Sequence, residues 1–357
     1  METSNGMKIC YLANIRLPTG KAHGLAVMKM CEAFALQGNE VELVVPRRYN
    51  LSKESPFRHY VMEESFSIVK LPTLFFARFG KIRFWINALS FAVCAFWYIL
   101  FKKSDIIYGR DELSLSYLSF FKKNVVWEAH TTKKKWFVRG LLKRSKKLVV
   151  ISKGLKEYYV SLGVPEKKIL VASSVVDPYA FENIKESKEE LRKKLNLPLN
   201  KKIIAYVGKL RTMGEEKGVG ELDHVISEVK KNYPEAELLI VSKAKPYEVP
   251  AYMKAVDILV MNYPNTEHYA KYMSPLKMFE YMASGNPIVA TDLPSIREIL
   301  DESTAYLFNP DDSKGMIKKI LEMLEHYDKA QTKAIKAAER VKEITWKKRA
   351  ENIIAFI

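Results

Sequence analysis

The feature that most constrains this chain is an alternation of short β-branched runs with helix-length segments, played through twice. MKICYLA (7–13), VELVV (41–45), SDIIYG (104–109), NVVWEA (124–129), KLVVIS (147–152) and ILVAS (169–173) form the first series. KKIIAYVG (201–208), AELLIVS (236–242), DILVMN (257–262), NPIVAT (286–291) and TAYLF (304–308) form the second. Near-continuous apolar strands are buried on both faces, and strands separated by helices pair in parallel, so each series predicts a doubly wound α/β sheet. The charged segment DPYAFENIKESKEELRKKLNLPLNKK (177–202) breaks the rhythm and reads as a linker plus a surface helix. The expected division is a doubly wound unit over 1–185, a second over 186–335, and a terminal helical stretch, 336–357, that packs back on the first. Two such units joined by one linker predict a cleft with strand carboxyl ends facing it, and ligands bind outside those ends.

With 357 residues, 48% hydrophobic and 28% charged, the chain has the size of two ordinary domains and the composition of a folded protein. Cys10, Cys31 and Cys94 lie in apolar stretches without CxxC spacing or a histidine at metal spacing. They predict small core residues in a reducing compartment and no metal centre. Residues 7–13 are too short an apolar run for a secretory signal, so the expected address is the cytoplasm. The formal net charge of +17 points either to an anionic partner (nucleic acid, anionic lipid or phosphorylated small molecules) or to a solvated lysine-rich surface. The absence of an RNP-like aromatic motif or a recognition-helix pattern argues against nucleic acid. FWINALSFAVCAFWYILF (84–101), flanked by Lys81, Arg83, Lys102 and Lys103, approaches the minimum length for crossing a bilayer. Asn87 and Ser90 interrupt it and a strand pattern follows at once. The expectation is a helix packed on the sheet that touches a membrane surface with part of its face.

SPLKMFEYMASGNPIVATDLPS (274–295) has the marks of a helix running into a buried strand. Ser274 as N-cap, Pro275 at the first helical position and Gly285 as a left-handed stop predict a helix over 275–284. Leu276, Phe279 and Met282 or Ala283 form the expected inward stripe, while Lys277, Glu280 and Ser284 share another face. A lysine in the first turn opposes the helix dipole unless an anion is held by Lys277 together with the free N–H groups, so the stretch asks for a phosphate. YVGKLRTMGEEKGVGEL (206–222) sets Gly208, Lys209, Arg211, Lys217 and Gly218 after a strand, a basic loop suited to a diphosphate or else an ordinary lysine-rich turn. It fits neither GxGxxG nor GxxxxGK[ST], which leaves nicotinamide cofactors and P-loop hydrolysis without support.

In the first series, NIRLPTGKAHGLAVMKM (14–30) puts Gly20 and Gly24 ahead of a helix, with His23 between them. VVWEAHTTKKKW (125–136) sends Glu128 and His130 to the same side of a strand end. A histidine there can donate to a developing charge or a sugar hydroxyl, or be structural. YGRDELS adds Arg110, Asp111 and Glu112 at another strand end. No Ser-His-Asp order, HExxH or cysteine–histidine pair supports a hydrolase or metalloenzyme.

The block SPLKMFEYMASGNPIVATDLPSIREIL (274–300) resembles the nucleotide-sugar site of retaining glycosyltransferases with the GT-B fold, most nearly glycosyltransferase family 4. Similar pieces stand in the same order: EAHT (128–131), VISKGLKEYY (150–159), GKLRTMGEEKG (208–218), VPAYMKAVDILVMNYP (249–264) and TWKKRAENII (345–354). The resemblance implies two Rossmann-like domains facing a cleft, and metal-independent transfer of a sugar from a nucleoside-diphosphate-sugar, which serves as donor substrate with no separate cofactor. It implies that Glu280, the second carboxylate of the E-x7-E motif, accepts from the ribose hydroxyls. Lys209, where the family often has Arg, would stabilise the departing diphosphate together with Lys217. Gly208, Ser274, Leu276 and Lys277 would complete the nucleotide side. His130 matches a histidine near the donor sugar, and Gly20 and Gly24 match the loop beneath the acceptor. The first motif carboxylate is replaced by Tyr272, and LLIVSKAKPYEVPAYMKAVD (238–257) is shorter than the family's usual segment. The expected acceptor is a saccharide or a lipid-linked saccharide of the cell envelope, met by a cytoplasmic protein peripheral on the inner face of the membrane. The alternative is a catalytically inactive GT-B relative that binds a nucleotide-sugar or acts as a scaffold.

Overall fold

The computed structural model describes residues 6–50, 54–74, 80–212, 215–216 and 218–357. The chain forms two compact units, residues 1–173 with 346–357, and residues 174–345.

The first unit is built on seven strands: β1 (Lys8–Leu12), β2 (Glu40–Pro46), β3 (Ser67–Leu71), β4 (Ile106–Gly109), β5 (Val125–Ala129), β6 (Lys147–Val150) and β7 (Ile169–Val171). They pair in parallel in the order β3-β2-β1-β4-β5-β6-β7. Strand β3, SIVKL, escaped the sequence pattern. It lies at the sheet edge with Ile68 and Val69 only half-buried and Lys70 exposed, so it carries no buried run to read. Alternation along β1 and β2 turns Ile9, Tyr11, Val41, Leu43 and Val45 into one core, which Ala350 and Ile353 of the helix Trp346–Phe356 complete. Two helix entries are capped by side chains: the Asp111 carboxylate accepts from Ser114 N–H at 3.1 Å and Ser152 Oγ from Leu155 N–H at 3.2 Å. The three cysteines are free thiols, two buried and Cys94 half-buried.

The second unit holds β8 (Lys202–Val207), the short antiparallel pair β9 (Arg211–Thr212) and β10 (Glu215–Glu216), then β11 (Ala236–Val241), β12 (Ile258–Met261), β13 (Ile288–Thr291) and β14 (Tyr306–Phe308). Its main sheet runs β11-β8-β12-β13-β14, parallel throughout. Both faces are covered, as its apolar strands require: Ile203, Ala205 and Val207 enter one core and Ile204 and Tyr206 the other.

Both unit boundaries differ from those expected of the sequence. Val176 and Phe181 share a core with Ala205, Leu259, Ala337 and Val341, which puts residues 174–185 and 336–345 in the second unit. Nor is 177–202 a surface linker. Its helix Lys188–Lys194 buries Leu191 and Arg192, and the Arg192 guanidinium bonds Asp257 at 2.6 Å and the Ala255 carbonyl at 2.8 Å. Composition marked the segment as charged, but its one buried cation has a carboxylate partner far along the chain. The apolar stretch forms the helix Gly80–Leu100, and among the described residues no helix is long and apolar enough to cross a membrane.

Candidate functional site

In a doubly wound sheet a crevice opens at the carboxyl ends of two neighbouring strands whose connections run to opposite sides. In the second unit those strands are β8 and β12. Past β8 the chain turns at Gly208, whose φ of +141° only glycine adopts freely, and its N–H donates to the Val241 carbonyl at 2.8 Å. Lys209 follows, exposed, its carbonyl accepting from Tyr206 Oη at 2.8 Å. Gly218 closes the loop at φ +62°. A Cβ there would meet Asn262 Nδ2 at 2.6 Å, so glycine lets the loop lie against the end of β12. Lys217 lies outside the described residues.

Facing this crevice is the helix Leu276–Ser284, one residue shorter than expected. Pro275, with extended backbone, takes the cap position, and Ser274 is displaced from it. The Ser274 Oγ instead accepts from Ser174 N–H at 2.9 Å, and its carbonyl from Ser174 Oγ at 2.5 Å. No side-chain hydrogen bond caps this helix at Pro275, and a helix N-terminus is the end that favours an anion. The buried face is Met278, Phe279, Tyr281 and Met282, whereas Leu276 and Ala283 are half-buried. Gly285 ends the helix at φ +72°, as expected.

Lys277 does not sit on a solvated face: it is 7% exposed. Its Nζ lies 4.0 Å from the Tyr206 ring centroid and 4.6 Å from that of Tyr263, with Tyr281 at 5.9 Å. Three aromatic faces thus stabilise a cation taken out of water. Tyr281 is fixed by accepting from Val207 N–H at 2.9 Å, and an added Cβ on Gly208 would stand 3.7 Å from Lys277 Cδ. Glu280, one turn on, keeps some exposure but is crowded by protein. Burial pushes its carboxyl up to about 7, against the opposing pull of Lys277. Gly208, Lys209, Lys277 and Glu280 therefore gather at one crevice, with Ser274 bonded to the side. The tyrosines around Lys277 were missed by sequence reasoning; Tyr206, Tyr263 and Tyr281 come from a strand, a strand end and the helix itself. Tyr272, at the place of the expected carboxylate, lies in the π-helical turn His268–Tyr272, and its hydroxyl donates to Glu267 at 3.0 Å.

The first unit has its own pocket, about 240 Å³, lined by His23, Arg110, Glu128, His130 and Lys133 among others. The Glu128 carboxylate is fully buried. Arg110 reaches it at 2.9 Å, Arg349 at 3.1 Å and His130 Nε2 at 2.5 Å, while the Tyr108 hydroxyl donates to its second oxygen. Burial works against this charge, yet Arg110, Arg349 and the His130 bond hold Glu128 well below the usual carboxylate range. His130 is pushed down to about 4, first by burial and then by Arg110, against the pull of Glu128. A neutral imidazole beside an ionised, acceptor-only carboxylate carries its proton on Nε2, which leaves Nδ1 as an acceptor. His130 is thus set to accept from a hydroxyl at Nδ1, while its one donor, Nε2–H, is bonded to Glu128. The signal in the sequence was a charge inside the apolar run VVWEA, which demands a cation; Arg110 was in view, and Arg349 was not.

Gly20 is exposed with open space where a Cβ would stand. Gly24 lies inside the helix Ala22–Ala35, where a Cβ would meet Tyr60 Oη at 2.3 Å and Thr19 Cγ2 at 2.5 Å. Its immediate demand is close packing, with the Tyr60 hydroxyl donating to the Thr19 carbonyl at 2.7 Å and accepting from Thr19 N–H at 3.0 Å. Among the described residues no three His, Cys, Asp or Glu side chains form a group able to hold a metal ion.

Two family models match the chain: Glycosyltransferase Family 4 over residues 24–179 and Glycosyl transferases group 1 over residues 244–326. TuaH of Bacillus subtilis, named for teichuronic acid biosynthesis as a glycosyltransferase, is 48% identical over 52 residues, 15% of this chain and 13% of its own. TuaC of the same organism, with the same naming, is 25% identical over 154 residues, 39% of this chain and 37% of its own. The matched stretches thus span well under two thirds of these relatives' lengths. The crystal structure of Anabaena HepE in complex with UDP and glucose superposes with a TM-score of 0.70 at 15% identity, covering 98% of each chain. Together the parallel sheets of the two units and this superposition establish the GT-B fold.

Proposed function

We propose that this chain, whose two halves resemble the family 4 and group 1 glycosyltransferases, moves a sugar from a nucleoside-diphosphate-sugar to a saccharide or lipid-linked acceptor of the cell envelope. The observation that carries this reading is the convergence of Gly208, Lys209, Lys277 and Glu280 on one crevice of the second unit. In this reading the nucleotide lies at the β8–β12 crevice, and Glu280, ionised on binding, accepts from the ribose hydroxyls. The diphosphate meets the first turn of the helix Leu276–Ser284 and the side chains of Lys209 and Lys277. Transfer is retaining and metal-independent: the lysines supply the positive charge that stabilises the leaving diphosphate, and positioning lowers the remainder of the barrier. On the first unit, Nδ1 of His130 accepts from a sugar hydroxyl, Gly20 lies in the acceptor-side loop, and Gly24 sits in the first turn of the helix that follows it. The relatives named for teichuronic acid biosynthesis support an envelope acceptor, and HepE with UDP makes UDP the first nucleotide to test.

Calorimetric titration of UDP, GDP and ADP, without added metal, tests the donor site. One nucleotide should bind, and Glu280→Ala and Lys277→Ala should each weaken it by about 1 kcal/mol or more. No binding of any of the three to the folded protein overturns the reading. Tyr272 favours a second reading, a nucleotide-sugar-binding relative without turnover. Binding without release of nucleoside diphosphate from any sugar donor, across a panel of saccharide acceptors, would select it.

A further inference from the structure

The helix Gly80–Leu100 has more apolar surface than the sheet covers. Ala88, Phe91, Ala92, Ala95 and Ile99 are buried, while Trp85, Leu89, Val93, Trp97 and Phe101 form an i, i+4 ridge that stays between 46% and 80% exposed. The ridge continues onto its neighbours. Phe121, 65% exposed, packs its ring edge-on against Phe96 at 5.2 Å, and Phe96 in turn meets Trp97. At the other end Lys135 Nζ lies 4.6 Å over the Trp85 ring, which brings in Trp136, 79% exposed. Single exposed apolar residues need no explanation, but a contiguous aromatic surface marks a contact site.

The rim decides the occupant. Lys103, Lys123 and Lys134 are exposed around the ridge, and the Arg144 guanidinium lies 3.5 Å from the Phe120 ring centroid. A second copy of this chain docked face to face would bring two such basic rims together, which repel. A bilayer bearing anionic headgroups attracts the rim and gives tryptophan and phenylalanine the half-wet, half-apolar boundary they favour. The helix is also not apolar enough to span, so it suits lying in the interface plane. We propose that this face of the first unit rests on an anionic phospholipid surface, with Trp97, Phe101, Phe121 and Trp136 entering the headgroup boundary and Lys103, Lys123 and Lys134 meeting lipid phosphates.

The test is co-sedimentation of the whole chain with phosphatidylcholine vesicles, with and without about 30 mol% phosphatidylglycerol, at two salt concentrations. The expected result is binding to the anionic vesicles about tenfold or more above that to neutral ones, weakened by salt. The double variant Trp97→Ala/Phe101→Ala should lose about tenfold of it, and Lys103→Gln/Lys123→Gln/Lys134→Gln should lose the preference for anionic lipid. These side chains are exposed, and unchanged thermal melting will confirm that both variants fold. A blue shift of tryptophan emission on adding anionic vesicles, reduced in the double variant, is the second expected signature. No vesicle binding by the wild type, or equal binding by the variants, overturns the proposal. So does a dimer in sedimentation velocity that the double variant abolishes while no vesicle binding is seen.

Discussion

The ammonium of Lys277 rests 4.0 Å from the ring centroid of Tyr206, and the hydroxyl of that same tyrosine donates to the carbonyl of Lys209 at 2.8 Å. One side chain thus holds both the helix lysine and the loop that follows β8. Lys277→Met keeps the length of the side chain in its aromatic pocket and removes the charge. It should leave the protein folded and weaken a nucleoside diphosphate by about tenfold, roughly 1.4 kcal/mol, while leaving the corresponding nucleoside nearly unaffected. Tyr206→Phe keeps the ring and should cost about 1 kcal/mol of stability. Paired calorimetry of UDP and uridine, with urea melts of both variants, reads these outcomes; equal losses for nucleotide and nucleoside would disprove a diphosphate role.

In the proposed donor site, Glu280 ties nucleotide binding to pH. Its carboxyl, at about 7, is raised above the roughly 4.3 of an unfolded chain. The folded protein therefore holds a proton there that the unfolded chain gives up, and the stability this contributes, full below about pH 4, is lost as pH rises through about 7. Ribose hydroxyls donate to the ionised form, so nucleotide affinity should increase between pH 6 and 8, with proton release on binding below pH 7. Titrations in buffers of different ionisation enthalpy count that proton. In Glu280→Gln both the pH dependence and the release should vanish, and their persistence would assign them elsewhere.

His130 should stay neutral through the physiological range. With its imidazole at about 4, the C2 proton resonance of His130, assigned by its loss in His130→Asn, should not shift between pH 5 and 8. The other five of the six histidines serve as controls in the same spectra. Titration of His130 near 6.5 would sink the acceptor role for Nδ1.

Gly24 offers a check on packing separate from chemistry. Gly24→Ala drives a methyl to 2.3 Å from Tyr60 Oη and should destabilise the first unit by about 1–3 kcal/mol. Tyr60→Phe removes that oxygen at the cost of its two bonds with Thr19, and the double variant should be more stable than the sum of the single losses. Urea melts of the four proteins give the coupling, and strict additivity would mean that the contact is not what excludes a side chain.

Much of this was legible because it is local. Periodicity showed eleven of the strands, and Gly285 stopped its helix as its backbone freedom predicts. The edge strand β3 was lost because its residues are not buried, and the pair β9 and β10 because two-residue strands carry no period. Lys277 and Glu280 share one helix, as their spacing predicted, yet the burial of Lys277 among Tyr206, Tyr263 and Tyr281 depends on tertiary packing that spacing within one helix does not contain. Ser274 was misplaced by one residue since Pro275 itself takes the extended cap conformation. Arg349 was invisible for a different reason: it ends in the ion cluster of a strand on the far side of the sequence, and no local pattern relates it to Glu128.

That last pairing has a consequence for how the protein is made. The first unit is interrupted, since residues 174–345 form the second and only then does the chain return with 346–357. At about 5–20 residues per second, a ribosome needs on the order of ten to thirty seconds to cover the interval. Throughout it, the nascent sheet has its buried Glu128 and Arg110 but lacks Arg349 and the apolar cover of Ala350 and Ile353. The second unit, contiguous in sequence, is free to fold while the first waits, so the half of the protein that is synthesised first is the half that is finished last.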